Sequence, residues 1–183
     1  MTQHKPQTSV EIRTAGEADV RLLSVLGTVT FYEAYFEQDD SADLANYLCD
    51  TFSPETTAAE LSDPNSTYFI IYSNGVAVGY AKLLRNSTAD GITGKKPIEL
   101  KRIYLVERVW GTGLGEKLLN HSIDAAQDGG FDSIWLGVWE ENVRGLNFYR
   151  KHGFVRVGSL EFPYGQTVGI NAVMEKQISR SDK

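Results

Sequence analysis

The first third of the chain has the apolar spacing of helices. Between Ala18 and Phe36, apolar residues recur every three to five positions, which predicts one helix that is broken or bent near residues 27–30. A second helical stretch is predicted from Ser41 to Cys49. Ser53 followed by Pro54 predicts the start of a third helix, because serine caps helix N-termini and proline fits the first helical position.

Strand patterns dominate the middle of the chain, after a short first strand predicted from Val10 to Arg13. The β-rich run from Tyr68 to Tyr72 is followed by the dipeptide Asn74-Gly75, which is typical of tight hairpin turns, and then by the run from Val76 to Leu84. This arrangement predicts two antiparallel strands.

The second half of the chain predicts a strand, a helix and a strand in succession. Polar residues 86–96 form a loop, whose length suggests a substrate-facing role, before a strand from Ile98 to Val106. The segment Leu114 to Ala126 has a wide apolar face at helical spacing, and Ile134 to Trp139 is apolar on both faces, as in a strand covered by helices. We therefore predict that these two strands are parallel.

The C-terminal part predicts a helix from Asn142 to Gly153. Strands follow from Phe154 to Gly158 and from Thr167 to Met174, joined by a polar connection that contains proline. Together these elements predict an α/β fold of the α+β kind. It consists of a mixed central β-sheet, with antiparallel early strands and one parallel pair, and helices on both faces.

Composition limits how the chain is organised. A chain of 183 residues with 42% hydrophobic content can bury one sizeable core, so we predict a single domain at residues 10–177 with frayed termini at 1–9 and 178–183. The longest apolar run, Ile134 to Trp139, is much shorter than the roughly 20 residues that a membrane span requires. The polar first residues carry no secretory or transit pattern. A cytoplasmic protein that binds no membrane is expected.

Charge and cysteine content narrow the function classes. The formal net charge of -6 argues against nucleic acid as a partner, which requires clustered Lys and Arg, and is compatible with a cationic substrate. The single cysteine, Cys49, cannot form an internal disulfide and is expected to be a small buried apolar residue. The histidines show no metal-ligand spacing, and no G-x-S-x-G elbow supports hydrolase chemistry.

A glycine-rich segment joins the strand at 98–106 to the helix that follows. Its sequence is Arg108-Val109-Trp110-Gly111-Thr112-Gly113-Leu114-Gly115-Glu116. Glycine permits positive φ and close approach of the backbone to a ligand, and the N-terminus of a helix attracts anions such as a pyrophosphate. A turn that only connects strand and helix is the alternative. Walker A and dinucleotide-binding motifs are excluded because Glu116 stands where each requires glycine.

These residues resemble the GCN5-related N-acetyltransferase (GNAT) superfamily, whose motif Q or R-x-x-G-x-G or A follows a strand and opens a helix. Arg108 to Gly113 fits that motif literally. A second register, which the family places against the pyrophosphate of coenzyme A, has Trp110, Gly113 and Gly115, so that Trp110 replaces the customary Gln or Arg. The replacement puts a side-chain role at this position in doubt but leaves the role of the backbone intact.

A second motif supports the same resemblance. The pattern Asn142-x-x-Gly145-x-x-Phe148-Tyr149-x-x-x-Gly153-Phe154 is similar to the family's N-x-x-A-x-x-[FL]-Y-x-x-x-G-F. Gly145 stands where alanine is usual. The resemblance implies that Asn142 contacts the pantetheine arm and that Tyr149 protonates the leaving thiolate. For Tyr149 alone, an ordinary core aromatic is the alternative.

The resemblance also implies a co-substrate and its contacts. Members of the family bind acetyl-CoA, and a backbone N–H of the strand before the glycine loop polarises the thioester carbonyl. No metal is implied. The residues implied to bind the cofactor are Ile103, Tyr104, Leu105, Gly111, Thr112, Gly113, Leu114, Gly115, Glu116, Asn142 and Tyr149.

More narrowly, the segments 99–104 and 134–140 are similar to PaiA-type bacterial spermidine/spermine N-acetyltransferases, which implies a polyamine acceptor. The likeness extends from about residue 18 to residue 176. The expected function is acetyl transfer to a primary amine by direct attack in a ternary complex, in a monomer or homodimer. A protein or peptide N-acetyltransferase and a non-catalytic acyl-CoA-binding regulatory module are the alternatives.

The reaction needs a base, because an alkylammonium group with a pKa of about 10.4 must lose a proton before it attacks. Glu99, at the start of the strand before the loop, is the candidate base, acting through water; an ordinary surface carboxylate is an equal alternative. An acidic and aromatic set of residues could bind further ammonium groups. A solvated helix end backed by core aromatics is the favoured interpretation of this set. Its members are Tyr32, Glu33, Tyr35, Phe36, Glu37, Asp39 and Asp40.

Overall fold

The computed structural model describes residues 9–165 and 167–178. In that part of the chain, seven strands form one sheet and five α-helices pack around it. The strands are β1 (Val10–Thr14), β2 (Ser66–Ser73), β3 (Val76–Leu84), β4 (Pro97–Leu105), β5 (Ser133–Trp139), β6 (Val155–Tyr164) and β7 (Thr167–Gln177). The helices are α1 (Val20–Tyr35), α2 (Ser41–Thr51), α3 (Pro54–Ser62), α4 (Leu114–Asp128) and α5 (Val143–Lys151).

The strands lie in the order β1-β2-β3-β4-β5-β7-β6. Every neighbouring pair is antiparallel except β4 and β5, which are parallel and are connected through α4. Asn74 and Gly75, with φ of 51° and 77°, form the predicted turn between β2 and β3. The structure therefore confirms the mixed sheet with an antiparallel early half and one parallel pair.

Helices cover both faces of the sheet, as predicted. On one face, α4 contributes Leu118 and Leu119 to the largest cluster of buried apolar residues, which also contains Ile134 of β5. On the opposite face, Leu23 of α1 packs with Tyr80 of β3 in a second cluster. The sheet thus has two apolar faces, which accounts for the continuous apolar run of β5.

The first helix runs from Val20 to Tyr35 without interruption, so the break predicted near residues 27–30 is wrong, and a bend there stays a prediction. Gly27 is buried against Phe52 at the end of α2, and a Cβ atom at this position would collide with the Phe52 ring. The Thr30 hydroxyl donates to the carbonyl oxygen of Leu26 at 2.6 Å, so it is satisfied within the helix. Glycine here allows close approach of a second helix and does not end α1.

The two C-terminal strands are longer than the sequence predicts. The polar connection expected between residues 158 and 167 belongs mostly to a hairpin, in which Pro163 of β6 lies opposite Val168 of β7. Because β6 is an edge strand, its outward-facing backbone groups have no partner in the sheet, and proline is tolerated there.

Cys49 is exposed on α2, so the expectation that it is buried is wrong. The inward stripe of that helix is formed by Leu44 and Leu48, one helical turn apart.

Two residues of the expected frayed termini are part of the fold. The Ser9 amide donates to Asn74 Oδ1 at 3.0 Å, and the Ile178 amide donates to the Asp132 carbonyl oxygen at 2.9 Å. The remaining residues of those termini lie outside the described residues. Among the helices in the described ranges, none is both long and apolar enough to span a bilayer.

Candidate active site

The parallel strands β4 and β5 pair only near their first residues. Three residue pairs join them, and the last is Glu99 with Trp135. Beyond that pair, β4 bonds only to β3, and β5 bonds only to β7. The strands therefore diverge and leave a gap, bounded by residues 100–105 of β4 and 136–139 of β5, which we call the wedge. Backbone groups on its two facing edges have no strand partner.

Three residues implied to contact the cofactor lie on the β4 side of the wedge. The side chains of Ile103 and Leu105 pack against the core on the α4 face of the sheet. The side chain of Tyr104 packs on the α1 face. These side chains point to the two faces of the sheet, so the edge of β4 that faces the wedge presents main-chain atoms.

The glycine loop lies at the open end of the wedge, where the chain leaves β4 through a short 3-10 turn at Glu107–Val109. Gly111 and Gly113 have φ of 75° and 85°, in the left-handed region that favours glycine. A Cβ atom on either residue would meet nothing within 4 Å, so the space in front of the loop is open. Gly113 precedes α4, and the amides of the first helical turn have no partner within the helix. The loop and the helix dipole therefore suit an anionic group such as a pyrophosphate.

The side chains of Thr112 and Glu116 have local partners. The Thr112 hydroxyl donates to the Val109 carbonyl oxygen at 2.6 Å. The Glu116 carboxylate lies 3.8 Å from Lys151 Nζ and 3.7 Å from His152 Nε2, both at the end of α5. The loop can therefore offer an anion its main-chain amides more readily than these two side chains.

Trp110 and Arg144 form a contact that the sequence did not predict. The Trp110 Nε1–H donates to the Leu105 carbonyl oxygen at 2.8 Å, which fixes the indole beside the end of β4. The guanidinium carbon of Arg144 lies 3.7 Å from the centre of the Trp110 ring. The sequence places Arg144 two residues after Asn142, but no spacing rule indicates which ring it covers. An exposed cation thus lies next to the glycine loop.

On the other side of the wedge, α5 begins directly after β5. Asn142 caps the helix by accepting a hydrogen bond from the Gly145 amide at 2.8 Å. Tyr149, on the same helix, packs its ring 5.3 Å from Phe148 and 5.7 Å from Phe154. Burial raises the pKa of the Tyr149 hydroxyl, and neighbouring Tyr35 raises it further.

Tyr35 connects α1 to this site. Its ring centre lies 4.5 Å from that of Phe31 and 6.2 Å from that of Trp139 at the end of β5. Burial raises the pKa of Tyr35 to about 12, and a side-chain hydrogen bond with Asn142 acts in the opposite direction. Tyr35, Asn142 and Tyr149 therefore meet at one end of the wedge. The sequence indicated Tyr35 only as a member of the acidic and aromatic set.

An aromatic cluster fills the space between α1, α2, β4 and the β6–β7 hairpin. Phe31 is at its centre, and every neighbouring ring centre lies within 6.4 Å of it. The neighbours are Tyr35, Tyr47, Phe52, Tyr104 and Tyr164.

Asp39 lies at the edge of the aromatic cluster. Partial burial raises the pKa of its carboxyl group, a hydrogen bond from the Tyr164 hydroxyl lowers it, and the charge of Asp43 raises it. Asp39 also influences the Tyr35 hydroxyl electrostatically. A carboxylate is therefore placed beside the rings of α1 and of the β6–β7 hairpin.

The rest of the predicted acidic and aromatic set is dispersed. Asp40 caps α2 by accepting a hydrogen bond from the Ala42 amide at 2.9 Å. Glu33 accepts a hydrogen bond from the Glu107 amide at 2.7 Å, and Glu37 is exposed. The rings of Tyr32 and Phe36 stack at 5.6 Å on the exposed side of α1. The structure therefore brings together only Tyr35 and Asp39 of that set.

Glu99 lies at the closed end of the wedge and is only 5% exposed. Its carboxylate accepts hydrogen bonds from the Ser87 hydroxyl at 2.7 Å and from Lys101 Nζ at 3.1 Å. The pairing of β3 with β4 skips Lys101, so β4 has one extra residue there. Because of this bulge, Glu99 and Tyr104, five positions apart, lie on the same face of the sheet.

The loop at residues 86–96 is fixed in place over this end of the wedge. Glu175 of β7 accepts hydrogen bonds from the amides of Thr93 and Gly94, at 3.0 and 2.9 Å. The carboxylate of Asp132 accepts from the amides of Lys95 and Lys96, both at 3.0 Å. The loop therefore covers Glu99 and lies at the end of β4 opposite to the glycine loop.

A buried ionic cluster lies below the aromatic cluster. Glu60 of α3 pairs with Arg102 at 2.6 Å and with Lys82 at 2.9 Å. The Tyr68 hydroxyl donates to the same carboxylate. Although burial acts to raise it, the pKa of Glu60 falls to about 2 because of the Arg102 charge and these hydrogen bonds. The cluster anchors Arg102, whose guanidinium covers the Phe52 ring at 5.1 Å.

Metal ligation has no support in the described residues, where no group of three or more His, Cys, Asp or Glu side chains could hold an ion.

Comparison with known sequences connects this site to acetyl transfer. Residues 25–154 match the model of a family described as Acetyltransferase (GNAT) family. The N-alpha-acetyltransferase RimI of Mycobacterium tuberculosis is 33% identical over 130 residues, which are 71% of this chain and 77% of that protein. The spermine/spermidine N(1)-acetyltransferase of Bacillus subtilis is 30% identical over 115 residues, covering 59% of this chain and 74% of its own.

A solved structure has the same fold. The PaiA N-acetyltransferase from Thermoplasma acidophilum in complex with coenzyme A superposes with a TM-score of 0.74 at 20% identity. The match covers 92% of this chain and 99% of that one. At this identity the similarity shows a common fold.

Proposed function

The chain belongs to the acetyltransferase (GNAT) family and is an acetyl-CoA-dependent N-acetyltransferase, and we propose that its acceptor is a polyamine such as spermidine or spermine. The observation that carries the proposal is the wedge, which has the anion-binding glycine loop at its open end and the aromatic cluster with Asp39 on one face. We propose that a single domain at residues 10–177 carries this activity in the cytoplasm, as a monomer or homodimer.

The geometry fits acetyl-CoA in two ways. The open space in front of Gly111 and Gly113, with the free amides of the first turn of α4, suits the pyrophosphate. The unpaired edges of the wedge offer backbone partners to the amide groups of the pantetheine arm, and Asn142 lies beside them at the start of α5. When bound, acetyl-CoA supplies an acetyl thioester. We assign its contacts to residues 103–105, the loop residues 111–116, Asn142 and Tyr149.

We assign the role of base to Glu99. An ammonium group must lose a proton before its nitrogen attacks the thioester carbonyl, and a carboxylate can accept that proton through water. Glu99 is on the face of β4 that carries the aromatic cluster, and its carboxylate accepts hydrogen bonds from Ser87 and Lys101. Glu99 lies five positions before Tyr104 on β4, and this separation favours proton transfer through water over direct contact with the amine.

We assign to Tyr149 the donation of a hydrogen bond and a proton to the departing thiolate. In this step the new C–N bond forms, the C–S bond breaks, and the sulfur takes the proton that Tyr149 later regains from solvent. A tyrosine hydroxyl is protonated at neutral pH already at its ordinary pKa, and burial raises the pKa of Tyr149 further. The same rise makes complete proton transfer more costly, so hydrogen bonding to the sulfur is the larger contribution.

Polyamine recognition is supported by the chemistry around the aromatic cluster. Ammonium groups are attracted to the faces of aromatic rings and pair with carboxylates. Tyr35, Tyr47 and Tyr164 supply rings, and Asp39 supplies a carboxylate at their edge. The net charge of -6 adds a long-range attraction for a polycation.

A second candidate acceptor is the N-terminus of a protein, which the similarity to the N-alpha-acetyltransferase RimI favours. The test is release of free CoA thiol from acetyl-CoA with a panel of spermidine, spermine, monoamines and N-terminal peptides. Selective turnover of polyamines would support our proposal, and selective turnover of peptides would replace it. Binding of acetyl-CoA without turnover of any amine would indicate a regulatory acyl-CoA-binding module.

A further inference from the structure

The guanidinium of Arg144 lies over the face of Trp110, a residue of the glycine loop. Its guanidinium carbon is 3.7 Å from the centre of the Trp110 ring, and the indole itself is fixed by its hydrogen bond to the Leu105 carbonyl oxygen. A guanidinium stacked in this way keeps its N–H groups, which lie in its plane, available at its edges. Stacking therefore orients the donors without using them.

Within residues 9–165 and 167–178, the charge of Arg144 lacks a close partner of opposite sign. Among the described residues, no carboxylate lies within 4.0 Å of its nitrogens. Partial burial lowers the pKa of Arg144, and Glu107 is the acid whose charge acts in the opposite direction. A bound anion at this position would supply the missing counter-charge.

Arg144 lies at the one position where the glycine loop departs from the family motif, which is Trp110 in place of Gln or Arg. The family usually has a side chain with hydrogen-bond donors at the position of Trp110. The indole N–H of Trp110 already donates to the Leu105 carbonyl oxygen, so it is not available to a ligand. Arg144 reaches the same place from α5 by lying on the Trp110 ring. The pair places a cation over Trp110, three residues before Gly113 in the same glycine loop.

We infer that Arg144, held by Trp110, binds a phosphate group of coenzyme A and completes the anion site of the glycine loop. This inference rests on the proposed cofactor contacts of the loop. The loop amides and the guanidinium approach from two elements, α4 and α5, so both can donate to one phosphate or to two neighbouring phosphates.

The experiment measures the Kd of CoA, dephospho-CoA and pantetheine by isothermal titration calorimetry. Variants are Arg144→Gln, Arg144→Lys and Trp110→Leu, with Arg150→Gln as the matched control, since Arg150 is an exposed cation on the same helix. Arg144→Gln is expected to weaken CoA binding about 10- to 100-fold, as for loss of a charge-assisted hydrogen bond. Trp110→Leu should weaken it in the same direction, Arg144→Lys should weaken it less, and Arg150→Gln should leave it unchanged.

The three ligands separate the outcomes. A loss that persists with dephospho-CoA assigns Arg144 to the pyrophosphate, and a loss that disappears assigns it to the 3′-phosphate; pantetheine binding should not change in either case. Equal CoA affinity of wild type and Arg144→Gln would overturn the inference while leaving the acetyltransferase proposal intact. No CoA binding by the folded wild type would instead overturn the cofactor contacts on which the inference rests.

Discussion

Glu99 and Trp135 are connected through Ser87 at the point where β4 and β5 separate. The Ser87 hydroxyl donates to the Glu99 carboxylate, and the Ser87 carbonyl oxygen accepts the Trp135 indole N–H at 3.2 Å. Glu99 and Trp135 are also the last pair between the two strands. One residue of the 86–96 loop therefore holds both sides of the closed end of the wedge.

Replacement of Glu99 tests its assignment as base. Glu99→Gln keeps the size of the side chain and an acceptor for Ser87 but removes the charge. We expect kcat to fall about 100-fold, within the range for loss of a general base, with little change in the KM of acetyl-CoA. Steady-state kinetics measures both constants. Glu161→Gln, at an exposed position on β6, is the control. Full activity of Glu99→Gln would mean that Glu99 has a structural role and is not the base.

Replacement of Tyr149 by Phe removes one hydroxyl and retains the ring packing against Phe148 and Phe154. We expect kcat to fall about 100-fold or more and the Kd of acetyl-CoA to change by less than about 3-fold. Tyr32→Phe, on the exposed side of α1, is the matched control. A parallel loss of turnover and cofactor affinity would show that Tyr149 acts in packing instead of chemistry.

Gly113 and Gly75 form a matched pair for testing the glycine loop. Both have positive φ, 85° and 77°, and at both a Cβ atom would meet nothing within 4 Å. Alanine at either position should cost roughly 1–2 kcal/mol of stability, because the left-handed region is strained for residues with a Cβ. Only Gly113→Ala should also weaken acetyl-CoA binding, measured by calorimetry. Equal acetyl-CoA affinity of the two variants would mean that the glycine loop does not bind the cofactor.

Asp39 should influence the choice of acceptor. Asp39→Asn is expected to raise the KM of spermidine by about 2- to 5-fold, as for a partly exposed ion pair, and to leave that of a monoamine of similar length nearly unchanged. Assays of both amines with the variant and with Asp50→Asn, an exposed control on α2, provide the measurement. A similar rise in the KM of both amines would mean that Asp39 affects the shape of the site and does not bind the additional ammonium groups of spermidine.

The stability of the protein should depend on Glu60 at neutral pH and not in strong acid. Its pKa is lowered from 4.5 in the unfolded reference to about 2 in the folded state, so the folded state favours the charged form. This contribution is fully present above pH 4.5 and is lost as the pH falls toward 2. Glu60→Gln should therefore reduce the unfolding free energy by on the order of 3 kcal/mol at pH 7.

Urea unfolding of wild type and Glu60→Gln at pH 7 and pH 3 measures this effect, with Glu11→Gln on β1 as the control. The difference between wild type and variant should shrink at pH 3. A difference of the same size at both pH values would mean that the ionic cluster contributes through its packing and not through its charge.

The sequence predicts the parts of the site that depend on local spacing. The glycine loop follows from a strand, a run of glycines and an amphipathic helix that are contiguous in the chain. The hairpin at Asn74 and Gly75 follows from two residues that tolerate positive φ. The parallel pair of β4 and β5 follows from the apolar helix between them.

Contacts between distant residues could not be predicted in the same way. Gly27 has the sequence character of a helix breaker, and only the Phe52 ring against it explains its place inside α1. The bulge at Lys101 changes which residues of β4 share a face, and nothing in the apolar pattern marks it. The stack of Arg144 on Trp110 joins residues from two motifs whose separation in space depends on the whole sheet.

The outer edge of β6 affects how the protein behaves at high concentration. An edge strand of ten residues with unpaired backbone groups can recruit a strand from another molecule and so begin aggregation. Pro163 lacks the N–H that such pairing requires, and the register shift between Arg156 and Gly158 interrupts the regular ladder at the other end. These two features leave only a short central stretch of β6 open to pairing between molecules, which protects the protein against intermolecular β-sheet growth.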